Sequence, residues 1–334
     1  MRDIVVVGPP SPLVSGSFAF LERALKAVYP GLTVLRLDRL DDIDDSGRPN
    51  EVRLILSTFP PPALATYCDR LKLRPIVLLD EMLPSVAFTR AGGTVPSLNA
   101  VRIVSAGLTL TGACSQLAGA HLVRRADDVS LLDLLTLAAG SAESAPNRAR
   151  LEKACELLGG PDRSLRELVE ASEAKQNASE LTAEDEQLAE CVLGGLYNYA
   201  VSGRPGPTTW PGRTFLLGDD PGTPAPVVMD VTGRARIIFY GPYFHLPRGR
   251  WKMRISYGFS HDIRGLPLNI QVASTSVLSE LRVLAERGGI FAVDHEVVVT
   301  DPHQPIEIRT MNEQAAIEGH VALASVELTY LDLS

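Results

Sequence analysis

The chain has 334 residues, of which 45% are hydrophobic and 22% charged, and a formal net charge of −8. This is the composition of an ordinary globular protein with room for two domains, and the acidic balance argues against a general binder of nucleic acid or anionic membrane. No apolar run approaches the roughly 20 residues that a membrane span needs, and four scattered cysteines without metal-ligand spacing read as free thiols of a reducing, cytoplasmic compartment.

The opening Arg2-Asp-Ile-Val-Val-Val7 reads as a buried strand running into Gly8-Pro-Pro10, not as a signal peptide. Phe18, Leu21, Leu25 and Val28 then recur at helical spacing up to Pro30-Gly31. Short apolar runs over 32–37, 54–57, 76–79 and 101–105 predict further strands, with a helix over 63–71. Continuous apolar strands separated by helices indicate a parallel sheet covered on both faces. The expected domain over 1–127 is therefore flavodoxin-like α/β.

The middle, 128–202, reads as a helical connector with signalled ends. Ser130-Leu-Leu-Asp133 opens one helix and Gly159-Gly160 closes the next. Ser164-Leu-Arg-Glu167 is a capping box, and Thr182-Ala-Glu-Asp185 opens the last helix. Such helices either pack on a neighbour or make a homodimer contact. The sequon Asn177-Ala-Ser179 carries no meaning in a cytoplasmic chain. A linker rich in proline and glycine follows over 203–212, and beyond it the helical period disappears. Runs over 227–231, 235–240, 251–259, 268–273, 290–299, 306–311 and 321–331 are strand-like, which predicts a β-sandwich or jelly roll over 210–334. Within it Trp251, Met253, Ile255, Tyr257 and Phe259 alternate with Arg250, Lys252, Arg254 and Ser256, so one side of that strand is apolar and the other basic.

The first 127 residues resemble a response-regulator receiver in strand and helix order. The family's acidic pair falls near Pro9 and Pro10, and its phosphorylated aspartate near Ser57-Thr58, so both are missing. The resemblance implies a degenerate receiver without a Mg²⁺ site or nucleophile. Pro9, Pro10 and Pro12 have no N–H to aim at a phosphate. Asp80-Glu81 ends a strand at the edge where open α/β sheets hold ligands, yet an aspartate there equally suits a helix start. Gly112-Ala-Cys-Ser-Gln-Leu-Ala-Gly119 is not a nucleophile elbow, which leaves Cys114 a packing role. In Asp294-His295-Glu296 the histidine of a strand points away from both carboxylates, and no zinc spacing exists. No cofactor or metal is expected.

Gly241-Pro-Tyr-Phe-His-Leu-Pro-Arg-Gly-Arg-Trp251, with Pro305-Ile-Glu-Ile-Arg309 downstream, resembles the carbohydrate-binding-module-like jelly rolls of bacterial surface-polysaccharide proteins. The resemblance covers the last third of the chain. It implies a sugar-binding polar sheet face with an aromatic rim, drawn from Arg236, Tyr243, His245, Arg250, Arg254, Glu307, Arg309 and Asn312. On the residues alone, outward Glu307 and Arg309 beside the basic strand equally suit cross-strand ion pairs. The leading expectation is a non-catalytic protein that binds carbohydrate or a polysaccharide-synthesis partner. Two alternatives stay open: an enzyme of glycan or sugar-nucleotide metabolism using Asp80 and Glu81 in a cleft between the domains, and a dimeric interaction scaffold.

Overall fold

The computed structural model describes residues 2–37, 51–90, 94–140, 146, 148–156, 158–173, 180–263 and 265–331; the sequon at Asn177 lies outside them. β1 (Arg2–Val7), β2 (Thr33–Arg36), β3 (Val52–Ser57), β4 (Ile76–Leu79) and β5 (His121–Arg124) form one parallel sheet in the order β2-β3-β1-β4-β5. Flavodoxin-like sheets run 2-1-3-4-5; here β3, not β1, lies beside β2. Alternate strand residues feed two separate cores, as period-two geometry requires. Ile4, Val6, Leu54, Leu56, Ile76 and Leu78 pack under α1 (Pro12–Val28), α5 (Leu131–Gly140), α6 (Arg148–Glu156) and α7 (Leu165–Glu173). Val5, Val7, Ile55 and Val77 pack with Leu64, Tyr67 and Cys68 of α2 (Pro62–Leu71) and with Cys114.

One sequence expectation needs correction in this region. Residues 101–105 are not a strand but part of α4 (Ser97–Ser115), and the fifth strand is β5. Val101, Val104, Leu108 and Cys114 are buried, but so are Ser105, Gly107, Thr109, Leu110, Thr111 and Gly112. A helix buried around most of its girth shows no one-sided stripe, and its β-branched run then imitates a strand. Gly112 is required there, because a Cβ would lie 2.4 Å from the ring of Tyr199. The helices over 128–173 pack on a neighbour, the first of the two arrangements expected for them: Leu131, Leu135, Leu151, Cys155, Leu165 and Val169 share one core with the sheet. Their ends are as signalled. Ser130 and Asp133 bond reciprocally, as do Ser164 and Glu167, and α8 (Ala183–Ser202) begins in a Thr182–Asp185 capping box.

Closeness in space divides the chain into two compact units, Met1–Ala189 with Tyr197–Arg204, and Glu190–Leu196 with Pro205–Ser334. The second is an antiparallel sandwich. One sheet has the order β13-β10-β15-β6, with β8 also pairing β15; the other has the order β12-β11-β14-β9-β7. The first is built from β6 (Thr208–Pro211), β8 (Val228–Asp230), β10 (Gly249–Phe259), β13 (Gly289–Val299) and β15 (His320–Leu331). The second is built from β7 (Leu216–Leu217), β9 (Arg236–Phe244), β11 (Leu266–Ala273), β12 (Val277–Ala285) and β14 (Ile306–Asn312). β10 alternates as its sequence dictates: Trp251, Met253, Ile255, Tyr257 and Phe259 are all buried. The Tyr257 hydroxyl meets Thr310 Oγ1 of the opposite sheet at 2.8 Å, and Trp251 Nε1 donates to the Pro247 carbonyl at 3.0 Å. The end of the expected linker is itself strand β6, anchored by buried Trp210.

Candidate functional site

Asp80 follows β4 at the carboxyl edge of the parallel sheet, beside the end of β1, where the chain's direction across the sheet reverses. Open α/β sheets place ligands at this point. Here the chain's own carboxylate is engaged on each oxygen. Asp80 Oδ2 accepts from Leu13 N at 2.9 Å, in the first turn of α1, and Oδ1 accepts from Glu81 N at 2.9 Å. Arg125 lies 3.5 Å from Oδ1 and holds Glu173 in a bidentate pair at 2.7 and 2.6 Å. Ser11 caps the next α1 N–H, that of Val14. Burial pushes the Asp80 carboxyl above the usual carboxylate range, opposed by the Leu13 N–H and the Arg125 charge. Glu81 is exposed at the N-cap of α3 (Met82–Thr89). Cys114 is buried and its thiol is pushed up to about 12 by burial. Among the described residues no group of three or more His, Cys, Asp and Glu side chains is placed to hold a metal.

The sandwich separates residues that the sequence groups together. Arg250 and Arg254 lie on the β10 sheet, whereas Glu307 and Arg309 lie on the opposite sheet, so they share no face. The acidic partners of the basic strand come from β13. Arg250 meets Glu296 at 2.8 Å, and Lys252 and Arg254 meet Asp294 at 3.0 and 2.9 Å. That outer face is a ladder of exposed ion pairs. Arg236 and Asn312 knit loops at one end of the sandwich. The Arg236 guanidinium binds Asp219 and the carbonyls of Asp230 and Thr232. The Asn312 amide is taken by Arg236 N, the Arg234 carbonyl and the Gln314 carbonyl. His245 Nδ1 bonds the Pro302 carbonyl at 3.0 Å, and burial lowers its pKa.

Tyr243, Glu307 and Arg309 do come together, on the outward face of the β14 sheet. Tyr243 Oη donates to Glu307 Oε1 at 3.0 Å, and Arg309 Nη2 donates to Glu307 Oε2 at 2.5 Å. Glu307 is 8% exposed and Arg309 is more open. Burial, and then the Glu307 charge, push the Tyr243 phenol up to about 12. Tyr243 also adopts φ 67°, left-handed backbone that bulky residues seldom occupy. Strained residues of this kind persist where surrounding structure over-determines them, and they cluster at ligand sites.

The sequence did not single out the rest of this face. Tyr240 pairs with Arg309 across β9 and β14, Arg309 with Gln271 across β14 and β11, and Gln271 with Glu280 across β11 and β12. Directly opposed residues lie on one face, so these four make a row across the sheet. The Tyr240 and Tyr243 rings meet edge to face, with centroids 6.1 Å apart and planes at 75°. Gly222 N donates to Tyr240 Oη at 3.3 Å and fixes that ring. The signal for Tyr240 was its place three residues before Tyr243, but the register shifts that put both on the outer side are a property of the pairing of β9 with β14.

No family model matches the chain, and no curated protein matches it. Solved structures resemble it over the C-terminal part. The K1 cleaved adhesin domain of Lys-gingipain from Porphyromonas gingivalis is 10% identical, with a TM-score of 0.29 over 38% of this chain and 99% of that one. The C-terminal CBM6 of a marine laminarinase from Zobellia galactanivorans is 11% identical, with a TM-score of 0.26 over 37% and 99%. A CBM36 carbohydrate-binding module in complex with calcium and xylotriose is 5% identical, with a TM-score of 0.27 over 36% and 99%.

Proposed function

We propose that this protein binds carbohydrate without transforming it, through the outward face of the β14 sheet. The observation that carries the reading is the connected set Tyr240, Tyr243, Glu307 and Arg309, two fixed aromatic rings beside a carboxylate–guanidinium pair on one open sheet face. Ring faces take the C–H side of a sugar, and a partly exposed guanidinium supplies donors in a fixed fork for its hydroxyls. Asp80 supports the non-catalytic half of the reading, because its oxygens hold the start of α1 and Arg125. The ion-paired face of β10 and β13 is assigned a structural role, since each exposed cation there has a carboxylate within 3.0 Å. A role in polysaccharide production, with a synthesis protein as partner, is the setting in which such a module serves.

Isothermal calorimetry with neutral and acidic oligosaccharides at millimolar concentration tests the reading. Tyr240→Ala is expected to weaken binding about tenfold or more, the equivalent of about 1.4 kcal/mol, with an unchanged thermal midpoint. Arg250→Ala, on the other sheet, is expected to leave affinity unchanged. Binding that ignores Tyr240, or that is lost with Arg250, contradicts this assignment.

A further inference from the structure

Among the described residues, this face and its continuation along β12 and past the end of β14 carry three carboxylates, on Glu280, Glu307 and Glu313, against two guanidinium groups, on Arg282 and Arg309. Each cation is already matched: Arg309 to Glu307 and Arg282 to Glu313, both at 2.5 Å. Glu280 accepts from the Asn269 amide. Glu307 is the best fixed of these, since its side chain is only 10% exposed and both of its oxygens are engaged.

An acidic sugar needs positive charge that is not already spent, because a carboxylate leaves water only at a site that pairs it. At Arg309 it would have to displace Glu307, and farther along the row it would meet Glu280. Hydroxyl groups make no such demand. They can accept from the remaining Arg309 N–H groups and both donate to and accept from the Gln271 amide. The row from Tyr240 to Glu280 spans four neighbouring strands, roughly 14 Å at the usual strand spacing. It continues beside Arg282 into an open depression lined by Pro267, Arg282, Leu284 and Gln314.

Resting on the carbohydrate reading above, we infer that the site takes a neutral, hydroxyl-rich oligosaccharide laid across the strands, and that Glu307 sets this choice by neutralising Arg309. Glu307 is thus a positioning and charge-selecting residue: it orients Tyr243 and Arg309, while those two groups and Tyr240 touch the sugar. Gln at 307 preserves shape and can still accept from Tyr243, but it leaves the Arg309 charge unmatched.

The test uses the full chain and the probes cellohexaose, xylohexaose and hexagalacturonate, titrated by calorimetry at pH 7. Wild type is expected to bind a neutral probe at least about tenfold more tightly than hexagalacturonate, and Glu307→Gln to raise hexagalacturonate affinity about tenfold. Neutral-probe affinity of wild type is expected to be flat as salt rises, since no net charge is exchanged; this second measurement stands if Glu307→Gln does not fold. Hexagalacturonate binding to wild type as tightly as a neutral probe, with sensitivity to Tyr240→Ala, overturns this inference and leaves the carbohydrate reading standing. A folded Glu307→Gln with unchanged preference, or neutral binding that falls steeply with salt, overturns it equally. Failure of all three probes to bind wild type at millimolar concentration overturns the carbohydrate reading itself, and this inference with it.

Discussion

A buried carboxylate is costly unless its oxygens are met, and Asp80 and Glu307 meet that requirement in opposite settings. Asp80 is 1% exposed and turned onto backbone N–H groups of its own unit, so its chemistry is spent on holding α1. Glu307 is turned onto two side chains that themselves reach an open face, so its chemistry sets what those side chains can do. The difference predicts different phenotypes. Asp80→Ala strands the Leu13 and Glu81 N–H donors, while Arg125 keeps its Glu173 pair, and is expected to cost about 2 kcal/mol in urea denaturation without altering sugar affinity measured on the folded fraction. An Asp80→Ala protein of wild-type stability would contradict the assignment. The sequence read Asp80 as the acid that ends a strand and Glu307 as an outward acid within one, but which groups face each of them from other elements was not legible in it.

At the scale of elements, β13 is an edge strand of eleven residues, with open backbone groups along one side. Exposed edges of that length invite pairing with another chain unless charges interrupt them. Asp294 and Glu296 do so here, held by Arg254, Lys252 and Arg250 of β10, and they separate exposed Ile290 from exposed Val298. Each pair contributes little to stability, as exposed pairs do; their value lies in keeping the edge polar. Asp294→Val with Glu296→Val is accordingly expected to retain the fold and to self-associate at concentrations where wild type does not. Light scattering during size-exclusion chromatography reads the difference, and an unchanged elution and mass for the double variant contradicts the argument. That β10 has one basic side was legible from its alternation. That its partners come from β13 rather than from Pro305-Ile-Glu-Ile-Arg309 was not, because strand neighbours are set by the closure of the sheet and not by local pattern.

For the whole molecule, each of the two units closes its own core, and the sandwich unit holds two histidines whose titration reports on its integrity. His245 bonds the Pro302 carbonyl and His295 Nε2 meets Ser279 Oγ at 2.8 Å. Burial lowers the pKa of both below the ordinary value of about 6.5. A histidine with a depressed folded pKa binds its proton more readily when unfolded. Its contribution to stability is therefore complete above the unfolded value and is lost as pH falls from there toward the folded one. The urea midpoint of the sandwich transition is expected to decline as pH drops below about 6.5, and His295→Gln to make that decline shallower. A midpoint that holds constant from neutrality down to the carboxylate range would refute the sign of both shifts.

The sequence alone determined the features that depend on neighbours a few residues away. The alternation of Trp251 to Phe259 dictated which side of β10 is buried, and the capping residues Ser130, Ser164 and Thr182 dictated where helices begin. The apolar runs around Ile4, Leu54 and Ile76 dictated a sheet covered on both faces. Tertiary structure decided the rest. It made a helix of 101–105, placed β3 rather than β1 beside β2, and put Arg254 and Arg309 on opposite sheets while assembling Tyr240, Gln271 and Glu280 beside Glu307. The physical reason is common to all of these. Periodicity states whether a side chain points inward or outward, but the identity of the group it meets depends on contacts between segments far apart in the chain.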